Sequence, residues 1–583
     1  MTNSRSSCYN KKAGFAYTIE EYYMNYVYII LEILGGMGAL LIGMKLLSEN
    51  LTKLAHKPLK TLLNKTAKNR FACVGIGTAV TVLGQSSSFT TVMVVGLVNA
   101  GIMTLFQATA MIMGANIGTT LVTWIVSLAD IQITTFFLAC SAVGALMLMI
   151  FKKDKVKSIG SALAGFGLIF VGLLVMKDAF PQEGEEAEVM MRVFGANIHP
   201  LLLLLIGMVF TAVVQSSAAT NAIVISLLAS GVTVGGDSGN ALYFIIIGSN
   251  IGTCATALIS SFGTNSNAKR AALIHFLFNV FGAIIFAVIL LAWKGFAATL
   301  LDPVFPVKEA IPMRVALFHT IFNVVGTLVF IPFINLFVKL ANLLVRDKNK
   351  GEEALPELAL SELDERLLNT PSVALGHLFN ETGEIFSYAM KTLDLSFEAF
   401  LKKDIETKEK VIERNEELSL ANKKVVSYLI KLSASPLTID EEKTVSSLHY
   451  VLNDIMRISE LADNVTKYTG HYVNDKLVFS QEFLAGLEGM FDKIKNLYEL
   501  SRDAFLNRDV AKLEEVDIQE DAIDKDRRKL VSTHIERLNE GKCQPQNSSV
   551  FINLVGNLER AADHITYIAH SIEQSSEGKE IPA

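Results

Sequence analysis

Residues 81–90, Thr-Val-Leu-Gly-Gln-Ser-Ser-Ser-Phe-Thr, and residues 211–220, Thr-Ala-Val-Val-Gln-Ser-Ser-Ala-Ala-Thr, are two copies of one pattern set 130 positions apart. Each lies inside an apolar stretch, 71–101 and 197–231, that is otherwise long enough to cross a bilayer. A Gln-Ser run at that depth interrupts the span, and an interrupted segment is tolerated in a membrane only where protein or water covers it. Both stretches therefore predict re-entrant or discontinuous helical hairpins. The match extends outward: Gly101 and Gly231 follow at equal distance, Gly36-x-Gly38-x4-Gly43 precedes the first copy as Gly165-x-Gly167-x4-Gly172 precedes the second, and Gly114-Ala-Asn116-Ile-Gly118-Thr119 follows as Gly248-Ser-Asn250-Ile-Gly252-Thr253. Three motifs in one order at nearly one offset make an internal repeat.

Around the hairpins, apolar stretches at 25–47, 103–127, 131–151, 158–178, 240–261, 271–293 and 315–345 give seven expected spans. The whole chain of 583 residues is 51% hydrophobic and 19% charged, with mean hydropathy +0.39, too apolar for an ordinary soluble protein. Its charge is unevenly placed: residues 1–350 carry 25 Lys+Arg against 15 Asp+Glu, and residues 351–583 carry 27 against 43. The fold class expected is all-α, a polytopic membrane domain followed by a helical bundle. The 34 Phe and only 12 Pro argue against low-complexity disorder, and five scattered cysteines against a disulfide framework or a zinc protein. The polar start of the chain lacks the features of a cleaved leader, so the first span is expected to stay.

Basic residues cluster in four loops, at Lys53–Arg70, Lys152–Lys157, Lys269–Arg270 and Arg346–Lys350, whereas Glu183, Glu185, Glu186 and Glu188 mark an acidic one. Because short cytoplasmic loops hold the excess of Lys and Arg, the four are expected inside and the acidic one outside. The hairpin of copy one follows an inner loop and that of copy two the outer loop, so the copies are expected to be inverted. Inverted repeats with broken helices at matching places point to a secondary transporter whose site lies between the repeats near the midplane. The domain plan is a polar segment 1–24, a transmembrane domain 25–345 (repeat one about 25–151, repeat two about 158–293, an extra span 315–345), a linker 346–370 and a helical domain 371–575.

The span interiors are nearly free of charge, so a bound ion meets hydroxyls, amides and backbone. Ser, Thr and Gln offer donors to an anion and oxygens to a hard cation. Helix N-termini at the breaks add partial positive charge and free N–H groups. The candidate binding residues are Gln85, Ser86, Ser87 and Ser88 with Gln215, Ser216 and Ser217, and, in the neighbouring motifs, Asn116, Thr119, Asn250 and Thr253. A divalent anion entering low dielectric needs cations beside it, so co-bound cations are expected. Close helix packing is the competing account of the small hydroxyl residues. A second echo, Arg270-x4-His275-x3-Asn279-x2-Gly282 against Arg314-x4-His319-x3-Asn323-x2-Gly326, puts His and Asn on one helix face, either as a buried structural pair or as a proton relay. A serine nucleophile is not expected, since neither run sits in Gly-x-Ser-x-Gly. No enzyme activity and no nucleic-acid partner are expected.

The paired Gln-Ser-Ser motifs, each followed by Gly-(Ala/Ser)-Asn-Ile-Gly-Thr, resemble the bacterial type II sodium/phosphate cotransporters over roughly residues 25–345. The resemblance implies that the two hairpins together bind inorganic phosphate and co-transported sodium ions, through Gln85, Ser86, Ser87, Ser88, Gln215, Ser216 and Ser217, with Thr90 and Thr220 in the same hairpins. Copy two departs by having Ala218 where copy one has Ser88, one hydroxyl fewer for a cation.

Residues 371–575 are expected to form amphipathic helices at about 374–402, 405–433, 440–469, 478–507, 510–541 and 547–575, none able to span a bilayer. Glu417 and Leu420 align with Glu520 and Ile523, and Arg457 and Glu460 with Arg560 and Asp563, at an offset of 103; this predicts two three-helix units. Glu520, Asp524, Glu559 and Asp563 place carboxylates on helix faces, as a divalent metal site or as a solvated, salt-bridged face. The pattern resembles PhoU-like phosphate-signalling domains, some of which bind metal clusters. Ala421 and Met456 break it in the first unit. Together these features predict a sodium-dependent phosphate transporter of the bacterial inner membrane with a cytoplasmic regulatory bundle. The alternatives are a phosphate exporter limiting internal phosphate and a non-transporting phosphate sensor; a homo-oligomer or a phosphate-signalling partner stays open.

Overall fold

The computed structural model describes residues 6–54, 69–128, 134–180, 185–232, 234–235, 239–306, 311–346, 358, 360, 363–435 and 437–573. Outside them lie Lys57, Lys60, Lys65, Lys68, Glu183, Lys348 and Lys350 of the charged loops, and most of the expected linker. Among the described residues there is no β-strand. The chain divides into two compact units, Met1–Lys348 and Asn349–Ala583.

In the first unit, copy one comprises α1 (Ser6–Leu54), the broken hairpin α2 (Arg70–Gly84) and α3 (Ser87–Asn99), then α4 (Leu105–Ser127) and α5 (Thr134–Ile150). Copy two repeats the order as α6 (Asp154–Ala179), a short amphipathic α7 (Glu185–Phe194), the hairpin α8 (Pro200–Val214) and α9 (Ser217–Ala229), then α10 (Ala241–Ser260) and α11 (Ser266–Ala292). α12 (Ile311–Phe330) and α13 (Ile334–Leu344) complete it. Six described helical stretches are long and apolar enough to cross a membrane: Val27–Leu54, Leu105–Ser127, Lys155–Ala179, Ala241–Ser260, Ser266–Ala292 and Ile311–Leu344. The expected seventh, α5, is described over 17 residues, and residues 131–133 at its start lie outside the described residues. In Ile311–Leu344 the helix tightens at Ile331–Phe333 because Pro332 has no N–H and its ring crowds the preceding turn. Arg70 Nη1 donates to the Ile331 carbonyl at 3.4 Å.

Glycines set how closely these helices approach. α1 packs on α6, and a Cβ built on Gly43 would lie 2.7 Å from the Gly165 oxygen, one on Gly165 2.7 Å from the Gly43 oxygen; Gly36 and Gly172 face each other in the same way. The outer glycines of the two stripes thus form one mutual contact, while Gly167 packs on Ser141 of α5. Within each copy the hairpin's first helix is pressed onto the span carrying Asn-Ile-Gly-Thr. A Cβ on Gly114 would meet the Val74 oxygen at 2.0 Å, and one on Gly248 the Leu204 oxygen at 2.0 Å.

The second unit is six helices: α14 (Pro371–Lys402), α15 (Thr407–Ser433), α16 (Ile439–Asn474), α17 (Gln481–Asn507), α18 (Leu513–Asn539) and α19 (Asn547–His570). α14 and α17 end alike, on Lys403 and Arg508 in the left-handed conformation. Phe386, Phe400, Phe491 and Phe505 are fully buried, and Phe397 stacks on Phe491 with centroids 4.0 Å apart, so aromatic packing supplies much of this core.

Gly114→Ala and Gly248→Ala should each lower the thermal unfolding midpoint of the purified protein, by the equivalent of about 1–3 kcal/mol for overpacking. Gly75→Ala, where an added Cβ meets nothing within 4 Å, should not.

Candidate functional site

The two Gln-Ser-Ser runs are the same helix break made twice. α2 runs to Gly84, Gln85 turns into the left-handed region (φ 52°, ψ 20°), and Ser86 is extended (φ −149°, ψ 112°) and caps α3 by accepting from Phe89 N at 3.1 Å. In copy two Gln215 has φ 59°, ψ 24°, and Ser216 (φ −147°, ψ 109°) caps α9 by accepting from Ala219 N at 3.2 Å. A glutamine there bears the steric strain that glycine escapes, roughly 1–2 kcal/mol. Such strain persists where the surroundings over-determine it, and it concentrates at binding sites.

Thr90 and Thr220 hold each break from inside the hairpin. Each hydroxyl donates to the carbonyl of its cap serine, Ser86 or Ser216, at 3.1 Å. Each in turn meets a threonine on the preceding helix, Thr81 at 2.9 Å and Thr211 at 2.7 Å. All four threonines are buried.

The two breaks meet. Ser88 Oγ donates to the Gln215 carbonyl at 3.3 Å, and a cavity of about 210 Å³ lies between the hairpins, lined by Gln85, Ser86, Ser87, Ser88, Gln215, Ser216 and Ser217. The helix starts of α3 and α9 open onto it, each with unpaired N–H groups and the positive end of a helix dipole. Gln85 Nε2 donates to the Val82 carbonyl at 2.6 Å, which leaves Gln85 Oε1 buried without a partner. An unmet carbonyl oxygen beside two anion-attracting helix ends is chemistry for a cation accompanying an anion.

Of the Asn-Ile-Gly-Thr residues only Thr119 lines the cavity. Asn116 donates to Asn279 Oδ1 at 2.8 Å and Asn250 to Asn323 Oδ1 at 2.8 Å. Asn279 and Asn323 donate back to the His275 and His319 carbonyls, while Thr253 is spent on the Asn250 carbonyl at 2.6 Å. These residues tie the spans together behind the hairpins. His319 is fixed between Thr123 Oγ1 at 2.9 Å and Asn250 Oδ1 at 3.0 Å, whereas neither ring nitrogen of His275 has a partner. Sequence reasoning missed α1's contribution: Leu41, Met44, Lys45 and Ser48 complete the lining, and Ser48 donates to the Gly84 carbonyl at the end of α2. Lys45, a lone cation in an apolar run, was the available signal.

In the second unit Glu520, Asp524, Glu559 and Asp563 do face one another across α18 and α19. The Glu520, Glu559 and Asp563 carboxyls are all held above their usual range, by burial first and then by neighbouring carboxylates. Arginines answer them: Arg528 pairs with Asp524 at 2.6 Å and Arg527 with Glu559 at 3.6 Å. Among the described residues no three His, Cys, Asp or Glu side chains gather as ligands for one metal ion, and a donor set with two members engaged by guanidinium groups does not fit one. In the first three-helix repeat of the same unit, Glu417 instead accepts from the Tyr388 hydroxyl at 2.5 Å.

The profile of the Na+/Pi-cotransporter family matches residues 39–178 and 184–301, and the PhoU domain matches residues 382–469 and 487–572. The chain belongs to the Na+/Pi-cotransporter family and carries PhoU domains in its C-terminal region; it is a multi-pass membrane protein. It is 31% identical to YqeW of Bacillus subtilis, an uncharacterized protein, over 53% of this chain and 95% of that one. It is 23% identical over 94% of its length, and 99% of the relative's, to a Salmonella typhimurium protein named "Putative inorganic phosphate export protein YjbB". A Clostridium acetobutylicum homolog of the phosphate-specific transport system accessory protein PhoU is 22% identical over 36% of this chain and 94% of its own.

Gln85→Gly and Gln215→Gly relieve the left-handed strain and should keep or raise the unfolding midpoint, whereas Gln85→Ile and Gln215→Ile should lower it by the equivalent of about 1–2 kcal/mol. For the acidic cluster the folded state holds protons that the unfolded state releases, so its contribution improves as pH falls through the raised values and is lost as pH rises. Amide exchange in α18 and α19 should therefore slow on lowering pH from about 7 to about 5, after correction for intrinsic rates. Glu520→Gln should add protection at neutral pH and flatten that dependence.

Proposed function

We propose that this protein moves inorganic phosphate across the bacterial inner membrane together with sodium ions, by alternating access, with its helical C-terminal domain in the cytoplasm as a regulator. The observation that carries the reading is the meeting of two identical helix breaks on one cavity, linked by Ser88 and the Gln215 carbonyl. Phosphate would sit at the starts of α3 and α9, receiving N–H groups and the hydroxyls of Ser86, Ser87, Ser88, Ser216 and Ser217. Sodium would take the unmet Gln85 oxygen and nearby hydroxyls, cancelling charge that a dianion could not carry alone into low dielectric. Each ion then stabilises the other's binding, which is the thermodynamic content of coupling. Lys45, paired with Glu49 at 3.8 Å on the same helix, adds a partly compensated cation at the cavity wall.

Alternating access follows if the copies are inverted about the cavity, as the loop charges support, so that the site opens to one side and then the other. Export of phosphate is the second reading. It is favoured by the name of the Salmonella typhimurium relative, which aligns along nearly its whole length, and it uses the same site with net flux set by the gradients.

Radiolabelled phosphate flux in proteoliposomes tests both readings. A sodium gradient should drive uptake, and choline replacement should abolish it. Gln85→Gly and Gln215→Gly should each cut flux about tenfold to a hundredfold, the value of one hydrogen bond to a charged group, in protein whose unfolding midpoint is unchanged or higher. Flux indifferent to sodium, or undiminished in both variants, would sink the coupled mechanism. Flux only outward from loaded vesicles under either gradient would select export.

A further inference from the structure

A second cavity, of about 330 Å³, lies within the C-terminal unit where α17, α18 and the start of α19 meet. Its floor is aromatic: Phe483 and Phe551 lie with centroids 4.4 Å apart, the His534 ring stacks on Phe551 at 3.9 Å and 13°, and Phe479 follows at 5.2 Å from Phe483. Phe483, Phe551 and His534 are buried. Gly489 keeps the space open, since a Cβ built there meets nothing within 4 Å. The lining is cationic against an acidic background. Lys493, Lys529 and Arg537 outnumber Glu482 and Asp526, in a half of the chain that carries 27 basic and 43 acidic residues.

Two polar groups in this lining are buried without a partner. Asn547 donates through Nδ2 to the Val478 carbonyl, which fixes its amide and leaves Oδ1 as an unmet acceptor, and the residue is only 4% exposed. Arg537 gives Nη1 to Glu482 at 2.7 Å and its guanidinium also meets the Cys543 side chain in the lining, while its Nε–H is unmet. Lys493 is occupied by Asp526 at 2.6 Å, and Lys529 stands exposed at the rim. Buried groups of this kind are ordinarily satisfied. The acceptor calls for an N–H, the guanidinium and ammonium for an anionic group, and the floor for a planar ring.

We propose that this cavity binds a mononucleotide: its heteroaromatic base lies on Phe483 and Phe551 with an amino group donating to Asn547 Oδ1, and its phosphate meets Arg537 and Lys529. The volume is within the range of small-ligand sites, about 300–1,000 Å³, at the end suited to one nucleotide unit. The ligand class is separate from the phosphate cavity of the membrane unit and does not rest on it.

The test is equilibrium binding of radiolabelled AMP to the full-length chain in lipid nanodiscs, with adenosine and inorganic phosphate as competitors. Saturable binding is expected, displaced by unlabelled AMP, less well by adenosine, and not by equimolar inorganic phosphate. Gly489→Leu, which fills the cavity on a helix that prefers leucine to glycine, should abolish it while the circular dichroism melt is retained. Lys529→Gln should weaken it about tenfold, as for one lost charge-assisted contact, and Gln215→Gly should leave it unchanged. Absence of saturable AMP binding to folded wild type overturns the proposal. So does binding that survives Gly489→Leu, that falls with Gln215→Gly, or that inorganic phosphate displaces as well as AMP does.

Discussion

A helix interrupted inside an apolar layer exposes backbone groups that nothing around it can satisfy, and the structure of the membrane unit depends on how two such interruptions are contained. The solution is two residues long. A left-handed glutamine ends one helix and an extended serine starts the next, so the chain changes direction while the serine side chain meets one of the freed N–H groups. Ser48 meets the Gly84 carbonyl from a different helix, and Ser88 meets that of Gln215. At the first break, the unmet Gln85 Oε1 lies on the cavity wall.

The rest of the membrane unit makes that arrangement rigid. Backbone-to-backbone approach at Gly77, Gly114, Gly207 and Gly248 presses each hairpin onto its supporting span, and the asparagine pairs Asn116–Asn279 and Asn250–Asn323 bind that span to the next layer of helices. Since lipid is as apolar as leucine, such contacts and buried amide bonds, more than hydrophobic burial, order helices in a bilayer. For the proposed ion site of neutral hydroxyls and helix ends, dipoles that cannot turn away would make this rigidity part of recognition.

The hairpins were legible in the sequence because their interruption is local: a Gln-Ser run in an apolar stretch, repeated, has one physical outcome. Asn116, Asn250 and Thr253 carried an equally clear pattern, yet a motif does not say whether its helix face looks toward a cavity or toward another helix; Asn279 and Asn323, far along the chain, decide it. Lys45 and Ser48 belong to a helix that the sequence marks as an apolar span with spaced glycines, and their place on the cavity wall arises from tertiary packing. In the C-terminal unit the Arg528–Asp524 pair lies four residues apart on one helix and was readable, whereas Arg527 reaches Glu559 on another helix. That crossing turns an apparent ligand set into an ion-pair cluster.

The two copies are not exact mirrors, and one difference sits at the bond that joins the two hairpin breaks. Ser88 reaches the backbone of the opposite hairpin; its counterpart, Ala218, has no hydroxyl with which to return the contact. Two interchangeable halves would give the inward-open and outward-open arrangements equal free energy by symmetry. In the proposed cycle, a bond that only one half can form would by itself remove that degeneracy by about 0.5–1.5 kcal/mol, a population ratio of roughly two to thirteen. Under the proposed alternating access, the empty protein would have a resting side set in part by a methyl-for-hydroxymethyl exchange, and the first ion to arrive would meet a population already biased toward one face of the membrane.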